Sequence, residues 1–351
     1  MIGGRWNKTV RQDYGDLQLF EGSDNTAVLH SIQTFIFKAC KHEIYHYQIP
    51  AVLLGLWQSM PRLEEIALLM SCCSSPLITS TLRSCLEYSP VSLPNLKVLW
   101  LGNFLDAKVR LSGLEVMTPN LEVVRLPGQF FLSSADLYRA FAELPSLKWF
   151  IMDKSAENPC DRDPFASSAW SAEDTQDFGD IISNVRQLII RGNFDLGDYL
   201  ETPLTPEIAE HFAELPNLEE LHITDEMLIY MDDLSRNFHL AIDSDDESED
   251  YYDHEEEYDK MMEEVLDLVW PATFRKCRTE VADIFFEKCP KLRRLAICNS
   301  HCGTGIVFEA ERDEDGQVID VQAVSDDITK GQIQWDHEGW PLVTRLQLRN
   351  L

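Results

Sequence analysis

Residues Pro94–Leu101, PNLKVLWL, share their plan with Pro119–Leu126, PNLEVVRL, and Pro216–Ile223, PNLEELHI. In each copy a proline and a polar residue make a turn. Apolar residues then fall at the first, fourth and sixth places, the pattern of a short strand with one buried face. A plan repeated along one chain predicts a repeat architecture. Taking the first apolar residue of each copy as an anchor gives Ile32, Leu63, Leu96, Leu121, Leu147, Val185, Leu218, Leu292 and Val343. Successive anchors lie 31, 33, 25, 26, 38, 33, 74 and 51 residues apart. The short intervals fit leucine-rich repeats of about 20 to 29 residues, and the long ones require insertions.

Several anchors are preceded by helix punctuation. LSSADLYRAFAELP offers Ser133 or Ser134 as N-cap and Pro145 as a stop, and LTPEIAEHFAELP offers Thr205 as cap with Pro206 at the first helical position. RTEVADIFFEKCP ends at Pro290. A unit of helix, proline turn and strand makes successive strands parallel, and stacking is needed to bury a shared core. If the first, fourth and sixth strand residues enter that core, the third and fifth share the opposite face. Partner-binding candidates on that face are Trp100, Arg125, Trp149, Ile151, Ile189, Glu220 and His222. Trp and Arg together suit an interface hot spot.

The repeat region, roughly residues 28–351, resembles that of fungal F-box-type leucine-rich-repeat proteins, with FFEKCPKLRRLAIC at Phe285–Cys298 as the nearest single match. It departs from the standard repeat in its uneven spacing and in lacking a regular Asn after the strand. The resemblance implies an α/β fold, an irregular leucine-rich-repeat solenoid with a parallel sheet on the concave face. It also implies substrate recognition in a cullin-type ubiquitin ligase, with a cullin-ligase adaptor among the partners. An F-box is not found: IPAVLLGLWQSMPRLEEI, from Ile49, begins somewhat like an F-box helix but runs directly into the Leu63 strand, as a repeat helix does.

With 351 residues, 44% of them apolar, the chain can bury a real core. Sixty acids against thirty Lys and Arg, a net charge of −30, oppose binding to nucleic acid or anionic lipid and favour basic partners. No apolar run reaches membrane-span length, and MIGGRWNKTVRQDYGD lacks a signal-peptide core, so the expected location is cytoplasmic or nuclear. Nine scattered Cys fit reduced thiols rather than a disulfide framework.

No phosphate loop, nucleophile elbow or H-E-x-x-H occurs, and the expectation is a non-enzymatic protein without cofactors. Cys298, His301 and Cys302, with Cys289 nearby, lack the paired short spacings of a zinc site, so no metal is expected. Cys40, His42 and His46 read as part of a loop between repeats.

Residues 243–264 hold thirteen acids against one Lys, a local charge of −12 that resists burial, so an acidic disordered insertion is expected at 241–260. Ser244, followed by three acids, is a phosphorylation candidate. An acidic stretch beside leucine-rich repeats also admits an alternative role, a scaffold or chaperone that binds basic nuclear proteins. Asp315 and Gly316 mark a hairpin. The expected organisation is an N-terminal extension at 1–27 and one repeat domain at 28–351, with a hairpin-bearing cap at 303–351. The stretch from Ser155 to Asp180 reads as a loop, with no helix before Val185.

Overall fold

The structure is a computed structural model. It describes residues 9–11, 26–39, 55–70, 92–101, 117–128, 131–132, 135–154, 169–170, 172–191, 193–194, 205–225, 270–299, 305–325, 334–335 and 341–342. The anchor Val343, Ser133, Ser134, Ser244, the acidic stretch 243–264, His301 and Cys302 lie outside them.

The strands in chain order are β1 (Thr9–Arg11), β2 (Thr34–Ala39), β3 (Glu65–Met70), β4 (Val98–Leu101), β5 (Val123–Pro127), β6 (Trp149–Asp153), β7 (Ala169–Trp170), β8 (Gln187–Arg191), β9 (Asn193–Phe194), β10 (Glu220–Asp225), β11 (Arg294–Asn299), β12 (Gly305–Arg312), β13 (Val318–Ser325), β14 (Gln334–Trp335) and β15 (Pro341–Leu342). Eleven of them form one sheet in chain order, from which the small β7–β9 and β14–β15 pairs are set aside. From β1 to β11 every pairing is parallel, and β12 and β13 close the series antiparallel. Eight of the nine anchors therefore head neighbouring strands, and the 74-residue interval does not interrupt the order. The hairpin falls where Gly316 predicts it, with φ at +81° in the turn. The extension contributes β1, which pairs with β2.

The PN dipeptide has a structural job. Asn95 Nδ2 donates to the Pro61 carbonyl at 2.8 Å, and Asn120 Nδ2 to the Pro94 carbonyl at 2.7 Å, so each turn is tied to the one before it. Ser146, at the same position of its unit, donates through Oγ to the preceding anchor carbonyl instead, Leu121 O at 2.8 Å. Just after each anchor, one carbonyl accepts two successive amides of the next unit. Glu64 O takes Lys97 N and Val98 N, Lys97 O takes Glu122 N and Val123 N, and Glu122 O takes Lys148 N and Trp149 N. The regular strand consequently starts two residues after its anchor.

Helices α1 (Thr26–Leu29), α2 (Ala135–Ala142), α3 (Ala172–Thr175), α4 (Phe178–Ile182), α5 (Thr205–Ala213) and α6 (Trp270–Lys288) complete the regular structure. Three differ from expectation. Thr205 lies inside α5 rather than before it, a one-residue displacement of the kind helix ends allow. The stretch before Val185 also contains α3 and α4, where a loop is expected. Their shortness hides them, although Phe178, Ile181 and Ile182 have helical spacing and are buried.

Strand positions four and six, among them Ile66, Leu99, Val124, Phe150, Leu188, Leu221 and Leu295, share one core with the buried faces of α2, α4, α5 and α6. Aromatic contacts link the helices through it. Phe178 meets Phe131 at 5.0 Å and Phe212 at 5.4 Å, and Phe212 meets Phe285 at 5.6 Å. Burial of this stripe is the main stabilising contribution, since helices this short are marginal alone. Among the described residues no helix is long and apolar enough to cross a membrane.

Candidate protein-binding face of the sheet

The face opposite this core carries the residues singled out in the sequence, and strand register sets them in rows. One row runs Glu65, Val98, Val123, Trp149, Gln187, Glu220, Arg294 and Glu309. The next runs Ala67, Trp100, Arg125, Ile151, Ile189, His222, Ala296 and Val307. In-register parallel pairing is what brings residues so distant in the chain side by side.

Trp100, Arg125 and Ile151 are neighbours in the second row, and the Arg125 guanidinium stands 4.2 Å from the centre of the Trp100 ring. Arg125 also forms an ion pair with Asp153, and Arg191 Nη1 reaches the same carboxylate oxygen at 3.3 Å. Asp153 and Arg191 form a third row, two residues beyond Ile151 and Ile189. They share the face of the candidate residues, although the sequence candidates end at the fifth strand position. Carrying the two-residue alternation one step further finds both.

Toward β10 the same face becomes a network around Glu220. His222 Nε2 and Glu220 Oε1 are 2.9 Å apart, Gln187 Nε2 donates to Glu220 Oε2 at 3.3 Å, and Arg294 Nε lies 3.8 Å from carboxylate oxygens of both Glu220 and Glu309. Trp149 meets the His222 ring edge-on at 5.3 Å.

Burial divides the candidates. Trp149, Ile151 and Ile189, with Val123, form a second small apolar cluster and are at most 3% exposed. Arg125, Glu220 and His222 are buried with them. Only Trp100 among the seven is half-buried, in company with Glu65, Val98, Gln187 and Arg294. The expected open patch is therefore a packed floor with a partly accessible rim, and six of the seven candidates belong to the floor. Aromatic and branched side chains on adjacent strands pack against each other at these separations, whatever else they contact.

Cys298 lies in β11, and Cys289 is a buried thiol just beyond α6, within 3.7 Å of the Ala209 carbonyl. Burial pushes the Cys289 thiol up to about 12, which leaves it protonated and poorly nucleophilic at neutral pH. No protein-family model matches the chain, and no curated protein is significantly similar to it in sequence.

Proposed function

We propose that this chain is a non-enzymatic protein-binding protein whose leucine-rich-repeat-like units stack as an irregular solenoid and hold a partner on the sheet face opposite the helices. The observation that carries this reading is the half-buried Trp100, stacked with Arg125 on the rim of a packed apolar floor. A rigid aromatic anchor beside a held arginine is the composition of interface hot spots. The floor residues Trp149, Ile151 and Ile189 then act by fixing the rim rather than by touching the partner. The resemblance to F-box-type repeat proteins supports substrate recognition in a cullin-type ubiquitin ligase as the biological role.

A second reading has its own observation. The net charge of −30 and the acidic stretch 243–264 favour a scaffold for basic nuclear proteins. Affinity purification of the tagged chain and of its Trp100→Ala variant, followed by mass spectrometry, separates the two. A partner that requires Trp100 supports recognition by the sheet face. A set of basic proteins held equally by both forms and released by salt supports the scaffold instead.

A further inference from the structure

The antiparallel end of the sheet has a different character from its parallel body. β13 is the last strand of the sheet among the described residues. Ala310 N, in β12, donates to Arg293 O at 3.2 Å, so the peptide at Ala310 faces β11 and away from β13. Val321 lies directly opposite Ala310, and in an antiparallel ladder it must then turn its own N–H and C=O outward, as must Ala323 two residues on. The Val321 amide confirms this: it donates at 3.0 Å to Oδ1 of the adjacent Asp320 rather than to β12.

Three further features converge on this edge. Register shifts flank its paired centre, and Ile319 and Val324, the residues they leave out of register, are 62% and 46% exposed. Large apolar side chains this exposed are otherwise represented, among the described residues, by Leu132 alone. Asp320 faces Glu311 directly across the strand pair, a like-charge arrangement that is unfavourable, and no cation among the described residues pairs with either. Asp283 of α6 lies within electrostatic reach: partial burial first, then Glu280 and Asp320, hold its carboxyl above the usual range.

We propose that the outer edge of β13 is a strand-addition site for an extended segment of a partner protein that carries Lys or Arg on one face and apolar residues on the other. The cations relieve the Asp320–Glu311 repulsion and draw the Asp320 carboxylate from the Val321 amide, which then joins the new ladder. Ile319 and Val324 receive the apolar side chains. The same carboxylates reject a second copy of this acidic chain, so the edge is open to basic strands and closed to itself. This surface is separate from the Trp100 rim, and each reading can fail without the other.

The test uses the full chain and two labelled octapeptides, one alternating Lys with Val and one alternating Glu with Val. Fluorescence anisotropy gives affinity, and amide hydrogen exchange by mass spectrometry gives location. The Lys peptide should bind and slow exchange within 318–325, and the Glu peptide should not bind. Ala323→Pro removes an outward donor while sparing the β12 ladder and should weaken binding by roughly tenfold. Asp320→Lys should weaken the Lys peptide and admit the Glu peptide, a reversal that does not depend on the fate of the proline variant. Protection that maps elsewhere, or a Lys-peptide affinity unmoved by Asp320→Lys, overturns the proposal.

Discussion

Replacing Trp149 with alanine tests whether the sheet face opposite the helices is packed as described. An indole buries about 150 to 250 Å², which at about 25 cal/mol per Å² amounts to roughly 4 to 6 kcal/mol before the part that alanine keeps. Trp149 is 3% exposed, so nearly all of that applies. The edge-on contact with His222 at 5.3 Å is lost as well, and a geometry of that kind contributes about 0.5 to 1.5 kcal/mol. Buried Trp→Ala changes cost about 3 to 5 kcal/mol in practice, and we expect about 4 here. Trp100 is half-buried and holds Arg125 at 4.2 Å, so its alanine variant should lose only about 1 to 2 kcal/mol. Urea unfolding followed by far-ultraviolet circular dichroism measures both. The decisive quantity is the difference: a Trp149→Ala variant within about 1 kcal/mol of wild type would mean that this residue lies on an open surface, and the floor described above would be wrong.

Other parts of the account make independent predictions. Asn120→Ala removes the tie to Pro94 O and should cost about 1 kcal/mol, whereas Asn120→Ser should recover part of it by reaching the anchor carbonyl Leu96 O, as Ser146 reaches Leu121 O one unit on; equal losses for both variants would refute a stabilising tie between units. The Arg312 guanidinium donates to the carbonyls of Phe286, Cys289 and Leu292, at 2.8, 3.0 and 3.2 Å, and so closes the C-terminal end of α6. Arg312→Met should therefore speed amide exchange in the hairpin and the last turn of α6 together, and exchange that changes in only one of them would break the link. Because the Asp283 carboxyl is raised in the folded state, its contribution to stability falls as pH rises through the carboxylate range. Asp283→Asn should accordingly raise Tm at pH 7 and lose that advantage near pH 3; a constant gain at both would exclude the electrostatic cause. Cys289 should resist alkylation in the native chain and react on unfolding, as peptide mapping of labelled protein would reveal.

The spacing of apolar residues carried most of the sheet. Anchors such as Leu96, Leu121 and Leu218 are buried where the repeat pattern places them, and the strands that follow pair in sequence order. This was legible because alternation is a local property that parallel stacking preserves. The partner of a side chain is not local. Arg125 was visible as a candidate, but its carboxylate, Asp153, lies on the next strand, and the second cation, Arg191, on the strand after that. Burial of the Trp149 face was equally hidden, since an apolar third or fifth strand position reads alike whether it is covered or open. The turn asparagines stood in the opening motif, yet their function depends on a proline carbonyl some 26 to 34 residues earlier in the chain. Helices α3 and α4 were lost for another reason: at 4 and 5 residues they are too short to show a full helical period.

The most direct test of partner recognition by the sheet face is quantitative mass spectrometry of proteins retained by the tagged wild-type chain and by Trp100→Ala, after both are shown to have closely similar unfolding midpoints. The account predicts a discrete partner that the wild type retains and the variant loses. Identical retention by the two folded proteins would contradict it.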